Sequence, residues 1–322
     1  MPSLCVHVIR SALTEARTPH IEKLIRDISE VEGLEVVSVN RVADGDSTAV
    51  TKKVVDEDVK IEKLTDPRLE SFNKFAKTLD PRNVSNALKH LAALKAASES
   101  AHDGSVMHLV LEDDVLAGAQ WSEALLSCLR NLPSGCDVVA LGIPGNSEAQ
   151  FQLAGNLYDV LPCCDSYLIT KEAAAKLARA FKPIRFITNV HLSYLARSLK
   201  LAVYLHKPNV FLDGSKYGAF ISTLTPGNQL ILNRAYIEGK NALADPENKL
   251  DEGVRKALFD NPHSLHPDFK HLQAMYEWKK SGAAAAEPLF EDALASYDAN
   301  NALVTNESPF LRDYIRLHAF IQ

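Results

Sequence analysis

Glycine is missing from the stretch Arg10–Thr18, which follows the first strand candidate of the chain. A phosphate cradle needs glycine at that place so that backbone N–H groups can close on the anion. Its absence counts against a nucleotidyltransferase built on a Gly-rich loop. Basic charge is also scarce: 35 Lys and Arg stand against 41 Asp and Glu, a formal net charge of −6. A nucleic-acid partner held by a basic surface is therefore not expected. Five cysteines (5, 128, 136, 163 and 164) form neither a CxxC pair nor a zinc spacing. An odd number with two adjacent members does not suit a disulfide framework, and reduced intracellular thiols are the expectation. Cys163 and Cys164, flanked by Val160-Leu161-Pro162, read as small buried thiols. No apolar run approaches the ~18 residues of a membrane span, and residues 1–9 are too short and too polar for a secretory signal. These absences point to a soluble, cytoplasmic, ligand-handling protein.

What is present is an ordinary globular composition, 46 % apolar and 24 % charged over 322 residues. That length suits one large domain and a smaller one. Residues 1–215 alternate strand and helix patterns. Leu4–Ile9 reads as a strand, His20–Ile28 as a helix with apolar positions 21, 24, 25 and 28, and Leu34–Val39 as a second strand. A β-α-β opening of this kind belongs to nucleotide-binding α/β layers. Val84–Ala97 has the spacing of an amphipathic helix, and a strand follows at 106–111. Trp121–Leu132, Glu172–Phe181 and His191–Leu199 read as helices; Asp137–Gly142, Leu157–Leu161, Ser166–Thr170 and Leu201–Leu205 read as strands. After about residue 235 the β-branched runs stop and helical stripes take over at Val254–Phe259, Phe269–Lys280, Leu289–Tyr297 and Leu311–Ile321. The expected organisation is an α/β domain over 1–234 and a small helical domain over 235–322. The latter is a candidate for oligomerisation or acceptor contact.

The strand at 106–111 ends in Glu112-Asp113-Asp114. Ligand sites of open α/β sheets lie beyond the carboxyl ends of the strands. Three acids there are either a solvated turn or the ligands of a hard divalent cation that grips a nucleotide diphosphate. If the chain stays extended, Glu112 and Asp114 share a face and Asp113 turns away.

The segments "ALKHLAALKAA" (87–97) and "HLVLEDDVL" (108–116) together resemble glycosyltransferase family 25, the lipooligosaccharide and collagen galactosyltransferases. "CVHVIR" at 5–10, "LEVVSVNRVAD" at 34–44 and "DSYLITKEAAAKL" at 165–177 extend the resemblance across roughly 4–215, and 235–322 has no counterpart. The resemblance implies a GT-A type mixed sheet flanked by helices, Mn²⁺ (or Mg²⁺), a UDP-sugar donor and inverting transfer to a glycan or protein hydroxyl. It implies Glu112 and Asp114 as metal ligands and Ile9 and Arg10 near the uracil and ribose, with His90 and Asp113 of the matching segments as further donor contacts; Lys216 and Tyr217, beyond the resemblance, are candidates to contact phosphate or close over the donor. Lys89 stands where the family carries Ser, either as an extra cation by the pyrophosphate or as a surface residue. Asn189 stands where the family tends to have an acid, and an amide cannot take a proton. Asp165, His191 and Asp213 are then the candidate bases, Asp213 being equally a candidate third metal ligand. Each is equally compatible with a turn or cap, Asp213-Gly214-Ser215 being a good turn sequence.

Overall fold

The computed structural model describes residues 1–43, 49–76, 78–102, 104–118, 120–142, 149–154, 164–217, 219–220, 234–244, 250–260, 267–299 and 313. The chain divides into two compact units, Met1–Asp213 and Gly214–Gln322. The change of composition near residue 235 follows a stretch, 221–233, outside the described residues.

In the first unit the elements run β1 (Ser3–Ile9), a 3₁₀ turn (Ala12–Arg17), α1 (Thr18–Ser29), β2 (Glu35–Val42), α2 (Lys52–Asp58), a second 3₁₀ turn (Glu70–Phe75) and α3 (Pro81–Ser98). There follow β3 (Met107–Glu112), β4 (Val115–Ala117), α4 (Trp121–Arg130), β5 (Val138–Ala140), β6 (Phe151–Leu153) and β7 (Ser166–Ile169). The unit closes with α5 (Lys171–Ala180), α6 (Thr188–Ser198), β8 (Val203–His206) and β9 (Phe211–Asp213). Seven strands form one mixed sheet in the order β2-β1-β3-β7-β5-β8-β6. β1, β2, β3, β5 and β8 run the same way, while β7 and β6 are antiparallel to their neighbours. The fold is thus the expected α/β class: a mixed sheet flanked by helices.

Strand alternation sorts the core onto two faces. Ile9, Val110, Val138, Tyr167, Ile169 and Val203 pack with α3, α5 and α6. Leu4, Val6, Val8, Leu109, Leu111 and Leu168 pack with α1 and α4. Helix boundaries follow local chemistry. α3 starts three residues before its apolar stripe because Asp80 caps it, accepting from Asn83 N at 2.8 Å, with Pro81 in the first position. α5 starts after Thr170, whose hydroxyl accepts from Ala173 N at 3.2 Å. α6 starts at Thr188, a turn earlier than the apolar spacing suggests. Two features escape the pattern: the short strand β6, and a separate two-stranded ladder of β4 with β9 that sets Val115 opposite Asp213. The strand expected at Leu157–Leu161 lies outside the described residues.

The second unit holds α7 (Gly214–Tyr217), α8 (Arg234–Ala244), α9 (Glu252–Phe259), α10 (Pro267–Ser281) and α11 (Ala283–Ala299). Leu243, Leu258, Phe269, Leu272 and Tyr276 form one of its apolar clusters. Ala274, Ala286, Phe290, Ala293 and Tyr297 form another between α10 and α11. Gly282, at φ +92°, makes the turn between those two helices, a conformation that side chains avoid. The helix expected at Leu311–Ile321 lies outside the described residues apart from Asp313. Among the described residues no helix is long and apolar enough to cross a membrane.

Candidate functional site

Parallel strands bring their carboxyl ends to one edge of the sheet, and β7, running the opposite way, starts there. The edge therefore collects Ser11 after β1, Glu112–Asp114 after β3, Gly142 after β5 and Asp165 before β7. The β4–β9 ladder adds Asp213 beside Val115. Among the described residues, five carboxylates lie at this edge.

The acidic run does not stay extended. β3 ends at Glu112, and Asp113-Asp114 form a turn into β4. That turn divides the run. Glu112 faces α3: its Oε1 accepts from Asn86 Nδ2 at 3.1 Å and lies 3.0 Å from His90 Nε2. Asp113, expected to turn away, is 8 % exposed and takes Arg17 Nη1 at 2.7 Å on Oδ1. Its Oδ2 accepts from the Thr14 hydroxyl and from Ser11 N at 3.3 Å. Asp114, also buried, lies 3.4 Å from the same Arg17 nitrogen. Strand alternation stops at a turn, so the face-sharing of Glu112 and Asp114 predicted from an extended chain does not arise.

Electrostatics follow the split. Burial is the largest cause lifting the Asp114 pKa well above the usual carboxylate range. Arg17 opposes that lift, and the charges of Asp213, Glu112 and Asp113 add to it. Burial works against the Arg17 charge, but Asp114 and Asp113 outweigh it and raise the guanidinium pKa. Arg17 thus sits among several acids, and a cation at this edge would relieve the repulsion on Asp114.

Asp165 is 3 % exposed. Its Oδ2 accepts from Ser166 Oγ at 3.2 Å, and its carbonyl accepts from Glu112 N at 2.7 Å. Its carboxylate lies so close to Gly142 that a Cβ there would come within 2.7 Å of Oδ2. Gly142 is required for that approach. Asp213 is partly exposed at the end of β9. His191 is placed elsewhere. It is fully buried in α6 with Nε2 2.8 Å from Phe181 O, Nδ1 accepting weakly from Arg185 N at 3.5 Å, and its ring against Phe181 and Tyr194. Burial lowers its pKa to about 4. A neutral core ring with both nitrogens turned to backbone has no free lone pair for an acceptor hydroxyl, and its place in the sequence two residues after Asn189 gives no hint of this.

His90 is at the site, fully buried on α3, with Nδ1 3.1 Å from Tyr167 Oη. Lys89 is only 5 % exposed, which removes the surface reading. Ile9 packs into the α3-side core. Arg10 is partly buried and donates to Thr18 Oγ1 at 2.5 Å, with Glu22 3.8 Å away. Lys216 lies in α7, and its side chain is outside those described.

Sequence reasoning passed over Ser11, Thr14, Arg17, Asn86, Tyr167 and Cys164. Asn86 and His90 are one helical turn apart on α3, so the signal for Asn86 was available. Cys164, expected as a buried thiol, is partly exposed, with Sγ 3.8 Å from His90 Nε2 and 3.9 Å from Glu112 Oε1. It precedes a strand antiparallel to β3, and so arrives where β3 ends. Cys5, Cys128, Cys136 and Cys164 are not in disulfides among the described residues; Cys163 is outside the described residues.

No protein-family model and no curated protein sequence matches the chain. The resemblance to family 25 accordingly stays one of motifs. Among solved structures, mouse xyloside xylosyltransferase 1 in its apo form is similar at a TM-score of 0.31 and 10 % identity. The match covers 63 % of this chain and 71 % of that one. Similarity at that level specifies neither a family nor an activity.

Proposed function

We propose that the chain is a metal-dependent glycosyltransferase of GT-A type that moves a hexose, galactose or glucose, from a UDP-sugar to a hydroxyl of a glycan or protein. One observation carries the reading: Glu112, Asp113, Asp114, Asp165 and Asp213 lie at the carboxyl edge of an α/β sheet, with Arg17 against Asp113 and Asp114. Oxygen donors of this kind suit Mn²⁺ or Mg²⁺, which bridge carboxylates to phosphate oxygens and neutralise a leaving diphosphate. Asp114 is the proposed ligand of that cation, because burial and its acidic neighbours disfavour its charge until a cation arrives; Glu112, expected as the second ligand, turns toward Asn86 and His90 on α3 instead. Arg17 holds Asp113 and orders the loop after β1, where the uracil and ribose would lie.

Transfer with inversion needs a base on the acceptor. The acceptor oxygen attacks the anomeric carbon, its proton passes to a carboxylate, and the bond to the diphosphate breaks as UDP departs with the electron pair. With His191 enclosed in the core, the role falls to Asp165 or Asp213. Asp165 is preferred because it is buried at the edge with Ser166 Oγ donating to its Oδ2 at 3.2 Å.

A second reading is a catalytically inactive nucleotide-sugar binder. It is favoured by Arg17, which already neutralises part of the acidic run, and by the amide at Asn189. Incubation with UDP-galactose or UDP-glucose and Mn²⁺ separates the two. The transferase reading predicts slow UDP release that Asp114→Ala abolishes. UDP binding without release supports the inactive binder, and neither binding nor release overturns both.

A further inference from the structure

We propose that His90, Glu112 and Cys164 are ligands of a borderline divalent transition metal of the Zn²⁺ or Co²⁺ class at the sheet edge. This site is separate from the Mn²⁺ or Mg²⁺ proposed beside Asp114, and it rests on the transferase reading only for what completes the ion's coordination.

Three separate elements deliver the donors: α3, the end of β3 and the residue leading into β7. His90 Nε2 and Glu112 Oε1 are 3.0 Å apart, and Cys164 Sγ lies 3.8 Å from the first and 3.9 Å from the second. A tetrahedral ion with bonds of about 2.0–2.3 Å separates nitrogen from oxygen by about 3.3 Å, and sulfur from either by about 3.6 Å. The three spacings differ from those by about 0.4 Å at most, a shift that side-chain rotation supplies.

The surroundings fit a ligand set better than a chance contact. Metal-bound histidines present one nitrogen to the ion and fix the other through a hydrogen bond. His90 does this with Nδ1 3.1 Å from Tyr167 Oη, its ring stacked against Tyr167. Burial first, and then the neighbouring Cys164 and Glu112, keep the Tyr167 phenol protonated, so its oxygen can accept from Nδ1–H while Nε2 offers a lone pair. Asn86 steadies the carboxylate by donating to Glu112 Oε1. The thiol is reachable. Cys128 is fully buried and its pKa is pushed far up by burial, whereas Cys164 is partly exposed. Sulfur and imidazole select Zn²⁺ or Co²⁺ over Mn²⁺ and Mg²⁺. Among the described residues these three are the ligands, and water or a phosphate oxygen can complete the coordination.

Binding costs one proton from Cys164 and a shift of the imidazole proton from Nε2 to Nδ1, so affinity rises with pH. The test is Co²⁺ titration of the full chain under reducing conditions, followed by absorption. The expected result is a near-ultraviolet thiolate-to-cobalt charge-transfer band that saturates at one equivalent. Cys164→Ser should remove the band and weaken binding at least tenfold, about the smallest loss seen for supporting residues around metals. Cys136→Ser should leave the band unchanged, and Glu112→Gln should keep the band while weakening binding. A band that survives Cys164→Ser, or Co²⁺ binding with no thiolate band, overturns the site. UDP release in Mn²⁺ without a thiolate band would overturn this inference alone; a thiolate band without UDP binding would overturn the transferase reading alone.

Discussion

The two halves of one acidic run behave differently. Asp113 and Asp114 turn toward the loop after β1, where Arg17 lies between them and Thr14 and Ser11 complete the hydrogen bonds of Asp113. Glu112 turns the other way, toward the imidazole of His90, the amide of Asn86 and the thiol of Cys164. One half carries its own cation. The other faces donors that bind cations. Adjacent identical charges thus acquire different chemistry from a single event, the end of β3 at Glu112. Neutralisation must therefore be assigned residue by residue, because a strand end can send neighbouring side chains to different partners.

Substitutions distinguish the two halves of the acidic run and the base beside them. If Asp165 activates the acceptor, Asp165→Asn should lower kcat by about 10²–10⁴-fold with little change in stability. Gly142→Ala should move part of the way there, because the new Cβ pushes against the Asp165 carboxylate. Comparing kcat for both variants with their unfolding midpoints checks this, and unchanged kcat in Asp165→Asn would shift the role to Asp213.

Next comes Arg17→Met, which leaves Asp113 and Asp114 buried without their cation. It should cost about 3–5 kcal/mol in urea unfolding at neutral pH. Glu112→Gln, on the other half, should cost far less. Equal losses would erase the distinction between the halves.

The third prediction concerns pH. His7, His108 and His191 are buried, and burial lowers each pKa to about 4. The His7–His108 pair, 3.0 Å apart across β1 and β3, cannot accept two charges. An unfolded chain takes up protons on these rings near the ordinary value of 6.5 while the native chain does not. Stability therefore falls as pH drops from about 6.5 toward 4, by roughly a few kcal/mol in sum. Asp114 acts in the opposite sense. Its raised pKa means that the native state holds a proton longer than the unfolded state, so its contribution declines as pH rises through the native value. Unfolding free energies across pH 4–8 for wild type and Asp114→Asn should separate the two slopes.

Asp114→Asn itself should be neutral or stabilising by about 1 kcal/mol without metal, since it removes a poorly compensated buried charge. Last in size, Asp80→Ala removes the cap of α3, the helix that carries Asn86 and His90. It should cost about 1 kcal/mol.

Much of the fold was legible in the sequence because its signals are local. The apolar spacing of α1 and α3 and the buried run of β3 each depend on neighbours along the chain. β4, β6 and β9 span three residues each and exist through partners far away in sequence, so no local period reveals them. At the site, Glu112, Asp114, His90 and Asp165 were legible as acids or imidazoles beside a strand end. Arg17 and Cys164 were not, because their roles arise where a 3₁₀ turn and an antiparallel strand deliver them to the edge. His191 was misread for the converse reason. Its residue type suggests catalysis, but its position on α6 directs it into the core between Phe181 and Tyr194.

The central claim, a cation-assisted nucleotide-sugar site at the carboxyl edge of the sheet, is tested most directly by calorimetric titration of UDP into the protein with and without Mn²⁺, repeated in Asp114→Asn. The account predicts UDP binding that depends on the metal and is lost in the variant. UDP binding of equal strength with and without the metal, or no UDP binding in either condition, would contradict it.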